Sequence, residues 1–108
     1  PEIKLANTPI TNGTLKTNSF RKSANIVNMG FNIQEINDTI TSSSIIGVVP
    51  EGFRPPFTVW LTCSFYLKTG NIVPVIISID SSGNIRQHMY TSVDVVSIFI
   101  NGTYPLAL

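Results

Sequence analysis

At 108 residues the chain has the length of one domain with one core, and seven Lys and Arg against six Asp and Glu leave it close to neutral. Without a clustered basic patch a phosphate backbone has nothing to hold it, so nucleic acid is excluded as a partner; Lys16 and Arg21-Lys22 read as a solvated face. The single Cys63 excludes an internal disulfide and a cysteine-rich metal site, and membrane insertion is excluded because the apolar runs are short, IVPVIISI being broken by Pro74.

Fifteen Ile and nine Val stand against six Leu and three Ala. Stiff β-branched side chains suit a pleated surface better than a helical turn, so the composition predicts an all-β domain. Ser, Thr and Asn make up 32 residues and charged residues only 13, which gives a surface of hydroxyls and amides. The chain begins at Pro1 rather than at a methionine and reads as a piece of a longer protein. Residues 1–13 read as a linker and 14–108 as a small antiparallel β-barrel or sandwich of short strands.

Asn12-Gly13 marks the turn before a first strand at 14–22, and a second follows at 24–33. IQEINDTI, residues 33–40, has apolar spacing compatible with one helical turn and reads as a strand end followed by a loop. A strand at 44–49 then runs into PEGFRPPFTVW, residues 50–60. Proline fixes φ and pushes its predecessor toward extended backbone, so Arg54-Pro55-Pro56 is stiff, and Gly52 is the one free joint before it. Such a lead-in aims the strand at 57–67. There the odd positions Phe57, Val59, Leu61, Cys63, Phe65 and Leu67 form a core row, while Trp60 and Tyr66 stand on the opposite face.

Lys68-Thr69-Gly70-Asn71 predicts a hairpin into 72–79, and Asp80-Ser81-Ser82-Gly83-Asn84 a second one into 84–90. The strand at 72–79 is apolar on both faces, with Val73, Val75, Ile77 and Ile79 against Ile72 and Ile76. The strand at 95–100 has Val95 and Phe99 on one side and Val96, Ile98 and Ile100 on the other, and Asn101-Gly102 reads as a last turn before a short piece at 103–106. Strands apolar on both faces need cover on both, which points to another copy of the chain.

In 84–90, Arg86, His88 and Tyr90 share one face, opposite Ile85, Gln87 and Met89. A guanidinium, an imidazole and a phenol in line offer donors, an acceptor and an aromatic plate, the groups a saccharide requires; an ordinary wet strand face has the same pattern. Trp60 and Asp94 complete the candidate ligand-binding set. With one histidine, no Ser-His-Asp set can be assembled by choice. A glycosidase pair would have to come from Glu2, Glu35, Asp38, Glu51, Asp80 and Asp94, of which Asp38 and Asp80 lie in turn-like runs. The expectation is a binding domain that is not an enzyme and uses no cofactor or metal.

PEGFRP, SIDSSGNI and the closing NGTYPL, taken together, resemble the head domain of receptor-binding proteins from lactococcal tailed phages. The likeness rests mainly on residues 50–108. It implies that 1–13 is the end of a neck and 14–108 a β-barrel head, three copies of which form a homotrimer at the tail tip of the virion. It further implies clefts near protomer junctions that bind host cell-wall saccharide or phosphopolysaccharide, and other tail or baseplate proteins as neighbours. Some members read His-Ile-Asp-Ile before the second hairpin and carry paired tryptophans after it. Here Ile76, Ile77, Ser78 and Ile79 and then Gln87 and His88 occupy those positions, so this chain reads a different saccharide or reads it with other side chains. The alternative is a structural trimerisation or docking module of the tail without glycan binding. A depolymerase that cuts the wall polysaccharide is a third reading.

Overall fold

The computed structural model describes residues 13–106, so the linker expected over 1–13 and its Asn12-Gly13 turn lie, but for Gly13, outside the described residues. Eight strands follow in chain order: β1 (Thr14–Ser23), β2 (Ile26–Gln34), β3 (Asp38–Thr41), β4 (Ile45–Val48), β5 (Val59–Leu67), β6 (Ile72–Ile79), β7 (Asn84–Gln87) and β8 (Ser92–Pro105). They form one antiparallel sheet in the order β1-β2-β8-β5-β6-β7-β4, curled into a half-barrel, with β3 paired to β8 off that path. The all-β expectation therefore holds. The chain makes one strongly curved sheet, with no pair joining β1 to β4 among the described residues.

The concave side holds the core. From β5 the inward row is Val59, Cys63 and Phe65 with half-buried Leu61 and Leu67, as the odd-residue pattern predicts. Val75, Ile77 and Ile79 of β6 and Val27, Phe31 and Ile33 of β2 face it, together with Ile98, Ile100 and Tyr104 of β8. Each fully buried aliphatic or aromatic side chain contributes about 1.5–3 kcal/mol, so a one-residue slip of β5 would forfeit most of its row. Phe57 is a correction: it precedes β5, in the bend after Pro56, and 37% of it is exposed.

Residues 33–40 are not helical: the strand end and the loop after it hold for 33–37, but the loop is only residues 35–37 and the chain re-enters the sheet as β3 at Asp38. Glu35 takes a left-handed φ of 60°, which kinks the chain and shifts its side-chain parity. Ile36 N still donates to Val96 O at 2.9 Å, and β3 then pairs with the first residues of β8. Ile33, Ile36 and Ile40 are all buried, so the helix-like 3-then-4 spacing is that of a strand carried across a kink. Opposite the kink, the β5–β8 register slips between Tyr66 and Leu67, skipping Val96. This bulge puts Val95 in the core with Ile98 and Ile100, in place of the predicted Val95–Phe99 face.

Asn101-Gly102 is likewise a correction, because β8 runs straight through it. Asn101 pairs with Gly30 and Gly102 with Met29. A Cβ at Gly102 would stand 3.3 Å from Leu61, so this glycine serves close packing rather than a turn.

The three strings that carry the family resemblance meet in space. Arg54 Nε donates to Val49 O at 2.9 Å, and Val49 N donates to Gly83 O at 2.8 Å. Gly83 has a φ of 86°, and a Cβ there would lie 2.8 Å from both Arg54 Nε and Val49 O, so only glycine fits. Tyr104 donates its hydroxyl to Phe53 O at 2.6 Å. Phe53 packs edge-on to Phe20, centroids 6.0 Å apart, under the Lys22 ammonium. The stiff Arg54-Pro55-Pro56 run is thus clamped from both sides before β5 begins.

Candidate functional site

Inward residues build the half-barrel, and their outward neighbours on β5, β6 and β7 build the candidate site. Trp60 is paired with Ser78, and Ser78 in turn with Arg86, so one row crosses three strands. Beside that row, His88 N donates to Ile76 O at 3.0 Å, which keeps the imidazole over β6 after the chain has left β7. The His88 and Trp60 rings lie 4.8 Å apart, tilted by 49°. His88 Nε2 and Ser78 Oγ share a hydrogen bond of 2.7 Å, with the donor set by the tautomer. Trp60 remains 60% exposed, whereas Ser78 is only 5% exposed beneath the rings.

A serine beside an imidazole has the form of a nucleophile and its base. Burial of Ser78 argues for a different job, because a substrate carbonyl would have to displace both rings to reach the hydroxyl. Ser78 holds the imidazole in place. The resulting surface is an aromatic plate with a ring nitrogen at its side and a guanidinium one strand away, suited to binding a polar ligand that has an apolar face. Arg86 is partly committed, since its Nη1 donates to Ser43 O at 2.8 Å.

The five predicted site residues do not form one cluster. Trp60 and His88 touch, and Arg86 is in the neighbouring row. Tyr90 departs from the predicted face because β7 ends at Gln87. The cause is Gln87 itself: fully buried, its Oε1 accepts from Met89 N and Tyr90 N, and its Nε2 donates to Tyr90 O at 2.6 Å. That side chain captures the backbone and ends the alternation. Tyr90 consequently packs against the core, while Met89, predicted to face inward, is 50% exposed.

Asp94 is remote. It accepts from Thr39 Oγ1 at 2.6 Å, and its carbonyl accepts from Lys68 N at 3.1 Å. Lys68 follows the far end of β5, eight residues from Trp60, roughly 25 Å along an extended strand. Asp94 there lines a separate polar cavity of about 220 Å³ with Asp38, Thr39 and Lys68. The residue that sequence reasoning missed is Ser78; its alternation with Ile77 and Ile79 was the available signal.

Beside the plate Ile76 faces outward next to Thr62, and farther along the same two strands come Ile72 and Tyr66. Ile76 is 44% and Ile72 is 66% exposed, and Tyr66 pairs with Ile72 across the strands. The two-sided character predicted for 72–79 is therefore real, and its outer side stands uncovered in the single chain.

No family model matches the chain, and no curated protein matches it. Among solved structures, it is similar to the head domain of phage bIL170, described in connection with a common fold for the receptor-binding domains of lactococcal phages. The TM-score is 0.66 at 19% sequence identity, covering 99% of this chain and 96% of that one. The fold implied by the three sequence strings is thus the observed fold.

Proposed function

We propose that this chain is the host-recognition head of a phage tail protein, a non-enzymatic adhesion domain that binds cell-wall saccharide reversibly. The observation that carries this reading is the exposed Trp60 ring braced by His88 and Ser78 on the outward face of β5–β7. The likeness in fold to a phage receptor-binding head supports it. Trp60 offers its face to the C–H side of a sugar ring, and His88 and Arg86 offer hydrogen bonds to hydroxyls. Tyr90 and Asp94 are secondary contacts, Asp94 through its own polar cavity.

The active form is a homotrimer at the virion tail tip, joined through the neck to other tail or baseplate proteins. Ile72, Ile76 and Tyr66 supply the face that a neighbouring copy covers, with Trp60 at the rim of the junction. Three weak sites on one rigid tip engage a repetitive wall polymer with avidity. The competing reading, a structural trimerisation or docking module, draws on the same apolar face and needs no ligand. Titration of the domain with extracted wall polysaccharide, beside light scattering at micromolar concentration, decides between them. Saturable binding without release of reducing ends supports adhesion; a trimer with no glycan affinity supports the structural module, and a stable monomer removes the shared-cleft arrangement.

A further inference from the structure

The outward face of β1, β2 and β8 carries a second feature. An open groove of about 550 Å³ runs over Gly30, lined by Arg21, Asn28, Asn101 and Thr103. Asn28 is paired with Arg21 on one side and Thr103 on the other, and Gly30 with Asn101, so these side chains belong to adjacent cross-strand rows. Among the described residues, the side chains of Arg21, Asn28 and Asn101 make no hydrogen bond within the fold, unlike those of Arg54 and Arg86. Two residues along β2 on the same face, Asn32 carries a buried Oδ1 without a partner.

Gly30 is the unexplained residue. It sits inside a strand paired on both sides, where glycine weakens a sheet, and its φ is not left-handed. A Cβ there would meet only the tip of the Asn101 amide, at 2.8 Å, and that flexible group can turn aside. The fold itself does not require a glycine at this position. A bare stretch of strand flanked by uncommitted amides is what a ligand lying close to the backbone requires.

Resting on the adhesion reading above, we infer that the groove over Gly30 is a second saccharide subsite, separate from the Trp60–His88 plate. Carboxamides both donate and accept, as sugar hydroxyls do, and Arg21 adds donors at the rim. The lining holds one cation, Arg21, where a nucleic acid would want clustered ones, and its one large apolar side chain, Met29, is buried in the core, so a helical peptide finds no side chain to anchor on. A polysaccharide chain can therefore touch each head at this groove as well as at the plate.

The test is a heteronuclear NMR titration of the domain with fragments of extracted lactococcal wall polysaccharide, using the parent, Trp60→Ala, Gly30→Val and Asn101→Ala. Signals of Gly30 and the Asn28 and Asn101 side-chain amides should shift saturably in the parent and in Trp60→Ala. Gly30→Val should weaken that response at least fivefold while melting no lower than the parent, because a β-branched residue suits the strand. Asn101→Ala, which fills nothing, should weaken the same response should the valine perturb folding. Shifts confined to Trp60 and His88, or an undiminished groove response in both groove variants, overturn the subsite and leave the adhesion reading standing. Absence of any shift in the parent overturns the adhesion reading and the subsite with it.

Discussion

Tyr104→Phe removes one hydroxyl from the clamp and should lower stability measurably. In the parent that hydroxyl donates to Phe53 O at 2.6 Å from a ring only 2% exposed. A typical intramolecular hydrogen bond contributes a net of about 0.5–1.5 kcal/mol, and a carbonyl left dry adds to the loss. Phe53 is half-buried, so water reaches its carbonyl in part, and the expected loss is about 1–2 kcal/mol. With an unfolding entropy of about 2.1 cal/mol/K per residue, a chain this long should then melt roughly 4–9 °C lower. Thermal melts and urea titrations at pH 7 with an unchanged m value are the assay. Burial also pushes the Tyr104 phenol up from 10.0 to about 12. Between those values the unfolded chain gives up the proton while the folded chain keeps it. The unfolded state then binds fewer protons, so the Tyr104 contribution is whole below pH 10 and falls as pH rises through about 12. The gap between parent and Tyr104→Phe should narrow across that window. A melting shift under about 2 °C at pH 7, or a gap that stays constant from pH 10 to 12, would refute the clamp as drawn.

Trp60→Ala should leave the melting temperature nearly unchanged, since the ring is mostly exposed, yet weaken wall-polysaccharide binding by about 1 kcal/mol, or roughly fivefold per site; equal affinity in a direct titration would move the site elsewhere. Ile77→Ala, fully buried in β6, should destabilise by about 2–5 kcal/mol in urea unfolding, and a loss under 1 kcal/mol would contradict its place in the core. Cys63 should resist iodoacetamide at pH 8 until the domain unfolds, because burial raises its thiol from 9.0 to about 12; prompt modification of the folded protein, read by mass spectrometry, would show the inward row of β5 to be open.

Strand parity was legible wherever a strand was regular. The β5 row and the outward Trp60 and Tyr66 follow from alternation alone. It failed where one residue changed the phase. Glu35 flips the backbone between β2 and β3, Val96 bulges opposite it, and Gln87 turns its side chain onto the next peptide groups. None of these has a distinctive local sequence: the kink at Glu35 and the bulge at Val96 are set by strand partners distant in the chain, and Gln87 acts through the direction its side chain takes, back onto Met89 and Tyr90. Asn101-Gly102 misled for the opposite reason: its local signature is that of a hairpin, and the Leu61 side chain across the sheet overrides it. In the candidate site, the Trp60–His88 contact was half legible. Both faces could be assigned, but the bracing Ser78 and the departure of Tyr90 required three strands to be placed together.

The clamp and the candidate binding face use different residues, and this separation bears on which positions of the chain are free to change. Phe53, Arg54, Gly83 and Tyr104 lock one another, so a change in any of them endangers the fold. Exposed positions away from such features usually shift stability by only about ±0.5 kcal/mol, and a lineage can rewrite them one at a time. Strings such as GFRP and NGTY therefore bear on how the backbone is held and not on the outward surface of β5–β7. Two sequences that share those strings would share the scaffold; comparing what they bind would require reading the outward residues in between.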